Sequence, residues 1–277
     1  MKSFGEKVAA VTGAGSGIGR ELALELGRQG CHLALCDLNA ASLKETVALC
    51  APLGVRITSA ALDVADRDAV YAWAEAVAAE HGQVNLIFNN AGVALASTIE
   101  GGSYEDLAWI VGINFWGVVY GTKAFLPHLR ASGEGHVINL SSVFGLTAAP
   151  GNGTYNATKF AVRGFTEALR QELEMMGAPV SATCVHPGGI KTNIAQNARY
   201  ATLEGLGNAD EHKVRLAFEK AFVTSAQSAA LAILKGVRCN RRRVLIGLDA
   251  HALDLLVRLA PSGSQRVMVA LARRMTR

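Results

Sequence analysis

Residues 8–20 read VAAVTGAGSGIGR: a short apolar strand, a turn with glycine at 13, 15, 17 and 19, and the start of a helical pattern. The pattern continues through IGRELALELGRQG (18–30), where Ile18, Leu22, Ala23 and Leu26 share one face and Gly30 stops it. A strand that enters a helix through a turn without side chains has a physical use. A phosphate group can reach such a backbone, and the free N–H groups and dipole at the helix start favour its charge. The plain alternative is a tight turn packed on its helix. The spacing Gly13-x3-Gly17-x-Gly19 also departs from G-x-G-x-x-G, so the turn alone does not decide between them.

Outward from this turn, apolar runs alternate with helical patterns. Strands are predicted at 7–13, 32–37, 56–64, 84–92, 135–142, 179–189 and 242–247. Helices are predicted at 18–30, 39–54, 66–82, 104–131, 153–177 and 224–238, with Asn39 and Asp66 placed to cap two of them. The strands are apolar throughout rather than alternating, which is the signature of burial on both faces of a parallel sheet. Crossover helices between them make right-handed βαβ units. The expected fold is therefore α/β: a single-domain, Rossmann-like, doubly wound sheet of about seven parallel strands with helices on both faces. Residues 1–250 form this domain. Residues 189–223 break the rhythm and read as a substrate-loop insertion. Residues 251–277 read as a C-terminal amphipathic extension around Pro261-Ser262-Gly263.

Composition narrows the class. Half of the 277 residues are hydrophobic and 18% are charged, which excludes general disorder and allows a large core. The net charge of +4 is gathered only in CNRRRV (239–244) and RVMVALARRMTR (266–277), so no nucleic-acid partner is expected. Cys31, Cys36, Cys50, Cys184 and Cys239 are odd in number and lack Cys-x-x-Cys spacing, which argues against a disulfide framework and a metal site. The N-terminal residues do not read as a signal peptide, and no apolar run reaches spanning length. The expectation is a cytoplasmic protein.

Asp37 closes the second strand, 18 residues after Gly19. An acid there can bond adenosine ribose hydroxyls and repel a 2′-phosphate, which favours NAD over NADP. Ser16 and Leu38 offer no cation to a 2′-phosphate; Arg20 is the one residue that can swing over. Asp63 and Asn90 end the third and fourth strands, where ligands bind in such sheets. In NNAG (89–92) two amides can tie neighbouring loops, and Ala91-Gly92 lets the backbone approach a ligand.

With these residues in place the chain resembles the short-chain dehydrogenase/reductase family. TGAGSGIG (12–19), NNAG (89–92), Ser142, YNATK (155–159) and HPGG (186–189) stand in that family's order and spacing over about residues 5 to 250. The resemblance implies NAD(P)-dependent oxidation of alcohols or reduction of ketones by a homotetramer or homodimer. It carries the family's catalytic tetrad onto Asn114, Ser142, Tyr155 and Lys159. Ser142, not Ser141, is the match, because it lies 13 residues before Tyr155. Cofactor contacts fall on Gly13, Ser16, Gly17, Ile18, Gly19, Asp37, Asp63, Val64, Asn90, Ala91, Gly92, Tyr155, Lys159, Pro187, Gly188, Ile190 and Thr192. HPGG replaces the commoner Asn-Pro-Gly, with little consequence expected.

The chemistry follows from the side chains. Hydride loss from a carbinol carbon requires removal of the hydroxyl proton. A free tyrosine, with a pKa near 10, is a poor base at neutral pH. Lys159, one helical turn from Tyr155, is expected to stabilise the phenolate and lower that pKa, and to hold the nicotinamide ribose. Ser142 can donate to the substrate oxygen. Asn114 can anchor a water leading to Lys159. GVALAS (92–97) and VFGLTAAPG (143–151) give apolar walls, so a hydrophobic secondary alcohol or ketone is the expected substrate. Ile194, Tyr200, Leu203, Leu206 and Phe218 are candidate lining from the loop, while Lys213, Arg215 and Glu219 face water. The tail is expected to pack on a neighbouring subunit or on the loop, with peripheral contact through 262–277 to an anionic membrane as the lesser alternative. The competing readings are an NADP(H)-preferring carbonyl reductase, a catalytically silent nucleotide-binding scaffold, and an epimerase or dehydratase on an extended fold.

Overall fold

A computed structural model describes residues 1–194, 196–201 and 222–275. Seven parallel strands form the central sheet: β1 Val8–Thr12, β2 His32–Asp37, β3 Ile57–Ala61, β4 Leu86–Asn89, β5 Gly135–Leu140, β6 Val180–Pro187 and β7 Arg243–Ile246. Their spatial order is β7-β6-β5-β4-β1-β2-β3. The order reverses between β1 and β4, so a crevice opens at the carboxyl ends of those two strands. The central strands β1, β4 and β5 are buried along their whole length, whereas the edge strands β3 and β7 alternate with solvent.

Nine helices complete the described residues: α1 Gly17–Gly27, α2 Ala40–Cys50, α3 Arg67–His81, α4 Tyr104–Val111, α5 Gly117–Ala131, α6 Gly153–Met175, α7 Ala226–Arg238, α8 Leu248–Leu259 and α9 Gly263–Met275. One core holds Leu22 and Leu26 of α1, Leu43 of α2 and Ile233 of α7 against one sheet face. The other holds Trp73 and Val77 of α3, Phe125 and Leu129 of α5, and Leu173 of α6. Trp73 and Phe125 meet edge to face, with centroids 5.0 Å apart. Each large side chain buried in this way contributes about 1.5–3 kcal/mol.

Asn39 and Asp66 cap α2 and α3 as predicted, accepting from Ser42 N and from the amides of Asp68 and Ala69. The predicted 39–54 helix is shorter, because Ala51–Leu53 tighten into a 3₁₀ turn after Cys50 and Gly54 stops the chain in the left-handed region. The predicted 104–131 helix is not continuous. Gly112–Trp116 form a π-type segment between α4 and α5, and Asn114 lies inside it.

Two short pairings lie outside the main sheet. Ile190–Lys191 pair with Thr224–Ser225, and Leu95–Ala96 pair with Arg199–Tyr200. The second pairing lays part of the 189–223 excursion beside GVALAS. Arg199 holds it there, with its guanidinium 3.7 Å over the Trp109 ring and 3.3 Å from Asp106.

Candidate active site

At the switch point Gly13 has φ +65° and Gly17 has φ +52°, conformations that L side chains rarely adopt. A Cβ on Gly13 would lie 2.9 Å from the Ala91 Cα, so the glycine lets the two loops close on each other. Asn90 fastens them: its Nδ2 donates to Thr12 O at 2.8 Å and to Gly13 O at 3.2 Å. The preceding amide has a different task. Asn89 Nδ2 donates to Asn139 Oδ1 and Thr122 Oγ1, and Asn139 Nδ2 donates to Thr166 Oγ1. This buried chain of polar groups ties β4 and β5 to α5 and α6 behind the crevice.

The first turn of α1 faces the crevice. Ser16 stands at its N-cap without capping it by a side-chain bond, in contrast to α2, α3, α4 and α7. The helix start is thus open to an anionic group. Asp37 lies beside it, accepting from Gly15 N and Asn39 N at 2.8 Å each. Arg20 is committed elsewhere. Its guanidinium bonds Gly15 O, Ser42 O, Glu45 and Thr46. The bare turn, the uncapped helix start and the acid at the second strand's end together fit an extended dinucleotide.

One cavity of about 560 Å³ runs from this turn to the end of β5 and β6, a size typical of ligand sites. Gly13, Ser16, Gly17, Ile18, Asp37, Asp63, Val64, Asn90, Ala91, Gly92, Pro187, Gly188, Ile190 and Thr192 line it, together with Ser142, Tyr155 and Lys159. Gly19 and Asn114 do not. Gly19 is buried against Gly13 O and Asn90, where no Cβ fits. Asn114 is fully buried one layer back, clamping Val93 with Oδ1 at 2.8 Å from its N and Nδ2 at 2.9 Å from its O. Thr192 meets the Gly17 side of the turn and also accepts a long 3.5 Å bond from Ile194 N.

Ser142 Oγ accepts from Phe144 N at 3.1 Å and faces the Tyr155 hydroxyl closely enough to favour its phenolate. The Tyr155 ring stands edge-on to Phe144 at 6.3 Å. Lys159 is buried, and its Nζ donates to Leu140 O at 3.0 Å. The ammonium lies 5.7 Å from the Tyr155 ring centroid. Burial pushes the Tyr155 pKa above its ordinary value against the opposing Ser142 hydroxyl. Burial also lowers Lys159 to about 8. The direction expected for Tyr155 from the spacing is therefore reversed. One-turn spacing brings the lysine close to the ring, but desolvation dominates the phenol.

Val93 to Ala96, Val143, Phe144, Ala149 and Pro150 form the apolar wall, with Ile194 and Tyr200 from the excursion. Leu203, Leu206, Phe218, Lys213, Arg215 and Glu219 lie outside the described residues. Among the described lining residues Lys159 is the one cation. Sequence reasoning missed Asp249 and Leu253 of α8 and Met268, Leu271 and Ala272 of α9, which line the same cavity. No local pattern marks them; the amphipathic period of the tail showed an inner face but not what it faces.

The switch-point crevice, the open helix start and the acid at β2 define a Rossmann-like dinucleotide-binding fold. The short chain dehydrogenase family model matches residues 7–202. SadH of Mycobacterium tuberculosis, named as an oxidoreductase, is 49% identical over 271 residues, covering 98% of this chain and 96% of that one. The C alpha-dehydrogenase of Sphingobium sp. is 34% identical over 277 residues, covering 95% and 90%. A short-chain dehydrogenase/reductase from Burkholderia phymatum, solved in complex with NAD, superimposes with a TM-score of 0.86 at 30% identity over 94% and 95% of the two chains. The chain belongs to the short-chain dehydrogenase family. Among the described residues no helix is long and apolar enough to cross a membrane.

Proposed function

We propose that the protein interconverts a hydrophobic secondary alcohol and its ketone with NAD(H), Tyr155 transferring the hydroxyl proton. The observation that carries this is one cavity in which Ser142, Tyr155 and Lys159 meet an apolar wall at one end and the glycine turn with Asp37 at the other. When bound, the nicotinamide takes up or delivers the hydride. Ser142 Oγ and the Tyr155 hydroxyl hold the substrate oxygen between them. Tyr155 accepts the proton in oxidation and returns it in reduction. Lys159 is placed to hold ribose hydroxyls, and its charge in a dry site opposes burial in favour of the phenolate. Asn114 fixes the Val93 backbone beside the reacting groups.

Asp37 and the committed Arg20 support NAD over NADP. An acid at the end of β2 would repel a 2′-phosphate, and no free cation stands beside it among the described lining residues. The test measures turnover of NAD(H) and NADP(H) with a panel of hydrophobic alcohols and ketones, and the binding of both oxidised cofactors. NAD should bind at least about tenfold more tightly, a difference of about 1.4 kcal/mol. Asp37→Ser should narrow the gap. Tighter binding of NADP overturns the cofactor reading. Absence of cofactor turnover across the whole panel revives a silent nucleotide-binding scaffold, and preference for small charged hydroxy acids overturns the apolar substrate class.

A further inference from the structure

The two helices beyond β7 touch the cavity, and the way they are held says what they do there. The start of α8 is pinned to the turn after β6: Gly189 N donates to Asp249 Oδ2 at 2.7 Å. The carboxylate occupies the space a Cβ on Gly188 would need, so Gly188 is required for this seat. Farther along, Asp254 receives Arg243 of β7 at 3.2 Å. From this seat α8 packs against the turn Val143–Gly145 that follows Ser142, and α9 rests on α8.

Among the described side chains of α9, Ser264, Met268 and Ala272 are the least exposed and stand four apart on one face, while the more exposed Leu271 also lines the cavity. Ser264 is spent within the helix start, where its Oγ donates to Pro261 O at 2.8 Å. Ala272 is small. Met268 is 8% exposed, the most buried large side chain that α9 gives the cavity, and it lines it with Leu253, Phe144 and Tyr155. A methionine has three rotatable bonds and no branch, so its shape adapts while its volume stays.

Resting on the alcohol–ketone reading, we propose that α9 is the outer wall of the substrate end of the cavity and that Met268 sets the size of ketone or alcohol it admits. The wall is built by the chain's own C-terminus. Shortening Met268 opens room beside the carbonyl; replacing it by a rigid ring fills that room.

The test uses the full chain, with Met268→Ala and Met268→Phe. The readouts are kcat/KM for acetone, acetophenone and benzophenone, and NAD binding. Met268→Ala should raise the benzophenone-to-acetone ratio of kcat/KM by about tenfold, the scale of one or two methylenes in an apolar pocket. Met268→Phe should lower it, and NAD affinity should stay within about twofold in both. An unchanged ratio in folded variants that still turn over ketones overturns the wall while leaving the redox function standing. If none of the three proteins reduces any ketone, the redox function fails and the wall is read from calorimetric binding of benzophenone. It then stands only if Met268→Ala tightens that binding and Met268→Phe weakens it; an equal constant in all three, or no binding, overturns it.

Discussion

Burial and charge compete at Tyr155, and the outcome decides how the site responds to pH. Desolvation raises the phenol's pKa while the Ser142 hydroxyl lowers it, and the net direction is upward. Tyr155 therefore starts protonated, ready as an acid for ketone reduction but not as a base for alcohol oxidation. Raising pH from 6 toward 8, before Lys159 loses its proton, should increase kcat/KM for oxidation and decrease it for reduction; profiles with the same slope in both directions would contradict this assignment. Tyr155→Phe should lower kcat by at least about 10³ while NAD affinity changes less than about twofold. Lys159→Ala should damage both. Lys159 carries a second cost. Its folded pKa of about 8 lies below the ordinary 10.5, so the unfolded chain holds the proton more firmly. Stability is then depressed by roughly 3 kcal/mol below pH 8, and recovers as pH rises from 8 to 10.5. Lys159→Met keeps the length without the charge. It should be more stable than wild type to urea at pH 7, and the advantage should shrink by pH 10. An advantage that is absent at pH 7, or that grows with pH, would show that burial of the charge is not what the lysine costs.

Elements separate what local sequence can reveal from what it cannot. The strand–turn–helix at 8–30 and the caps Asn39 and Asp66 were legible, because each depends on neighbours within a few residues. The π segment around Asn114 was not. Inside it Asn114 reaches across to Val93, a contact 21 positions away that no local pattern announces. Such segments often mark functional positions. The wall built by Met268 and the seat of Asp249 were hidden for the same reason, since both depend on where α8 lands after β7. Two glycines inside helices show how environment decides a residue's meaning. A Cβ on Gly121 of α5 would strike Asn89 Oδ1 in the buried amide chain, whereas one on Gly164 of α6 meets nothing within 4 Å. Gly121→Ala should cost roughly 1–3 kcal/mol from overpacking, and more if the amide chain breaks. Gly164→Ala should be neutral or stabilising by about 0.5–1 kcal/mol. Thermal melts of the two variants decide it; equal shifts would mean that the amide chain does not constrain α5.

At the scale of the whole molecule, the same dry interior that tunes the site makes the fold sensitive to acid. His136 in β5 bonds Thr183 Oγ1 at 2.7 Å, and His186 in β6 donates from Nδ1 to the Ser142 carbonyl at 2.9 Å. His186 thereby reaches the site: the residue that replaces the family's commoner asparagine holds the backbone of Ser142. Burial lowers His136 to about 3 and His186 to about 4, with Arg170 near the first and Arg243 and Arg163 near the second adding to the shift. Both must be neutral in the fold, while the unfolded chain takes up their protons near pH 6.5. Between 6.5 and the folded values the unfolded state binds more protons, so stability falls as pH falls. By pH 5 each has given up about 1.5 units, roughly 2 kcal/mol apiece, which is substantial beside a usual total of about 5–15 kcal/mol. Urea midpoints should therefore drop between pH 6.5 and 5, before the carboxylates titrate. His186→Asn should reduce that slope and adding His136→Gln should reduce it further, leaving the part carried by His81, which burial also lowers. A single variant with the wild-type slope would remove His186 from the account. If that variant also kept the wild-type kcat, His186 would hold nothing that Ser142 needs.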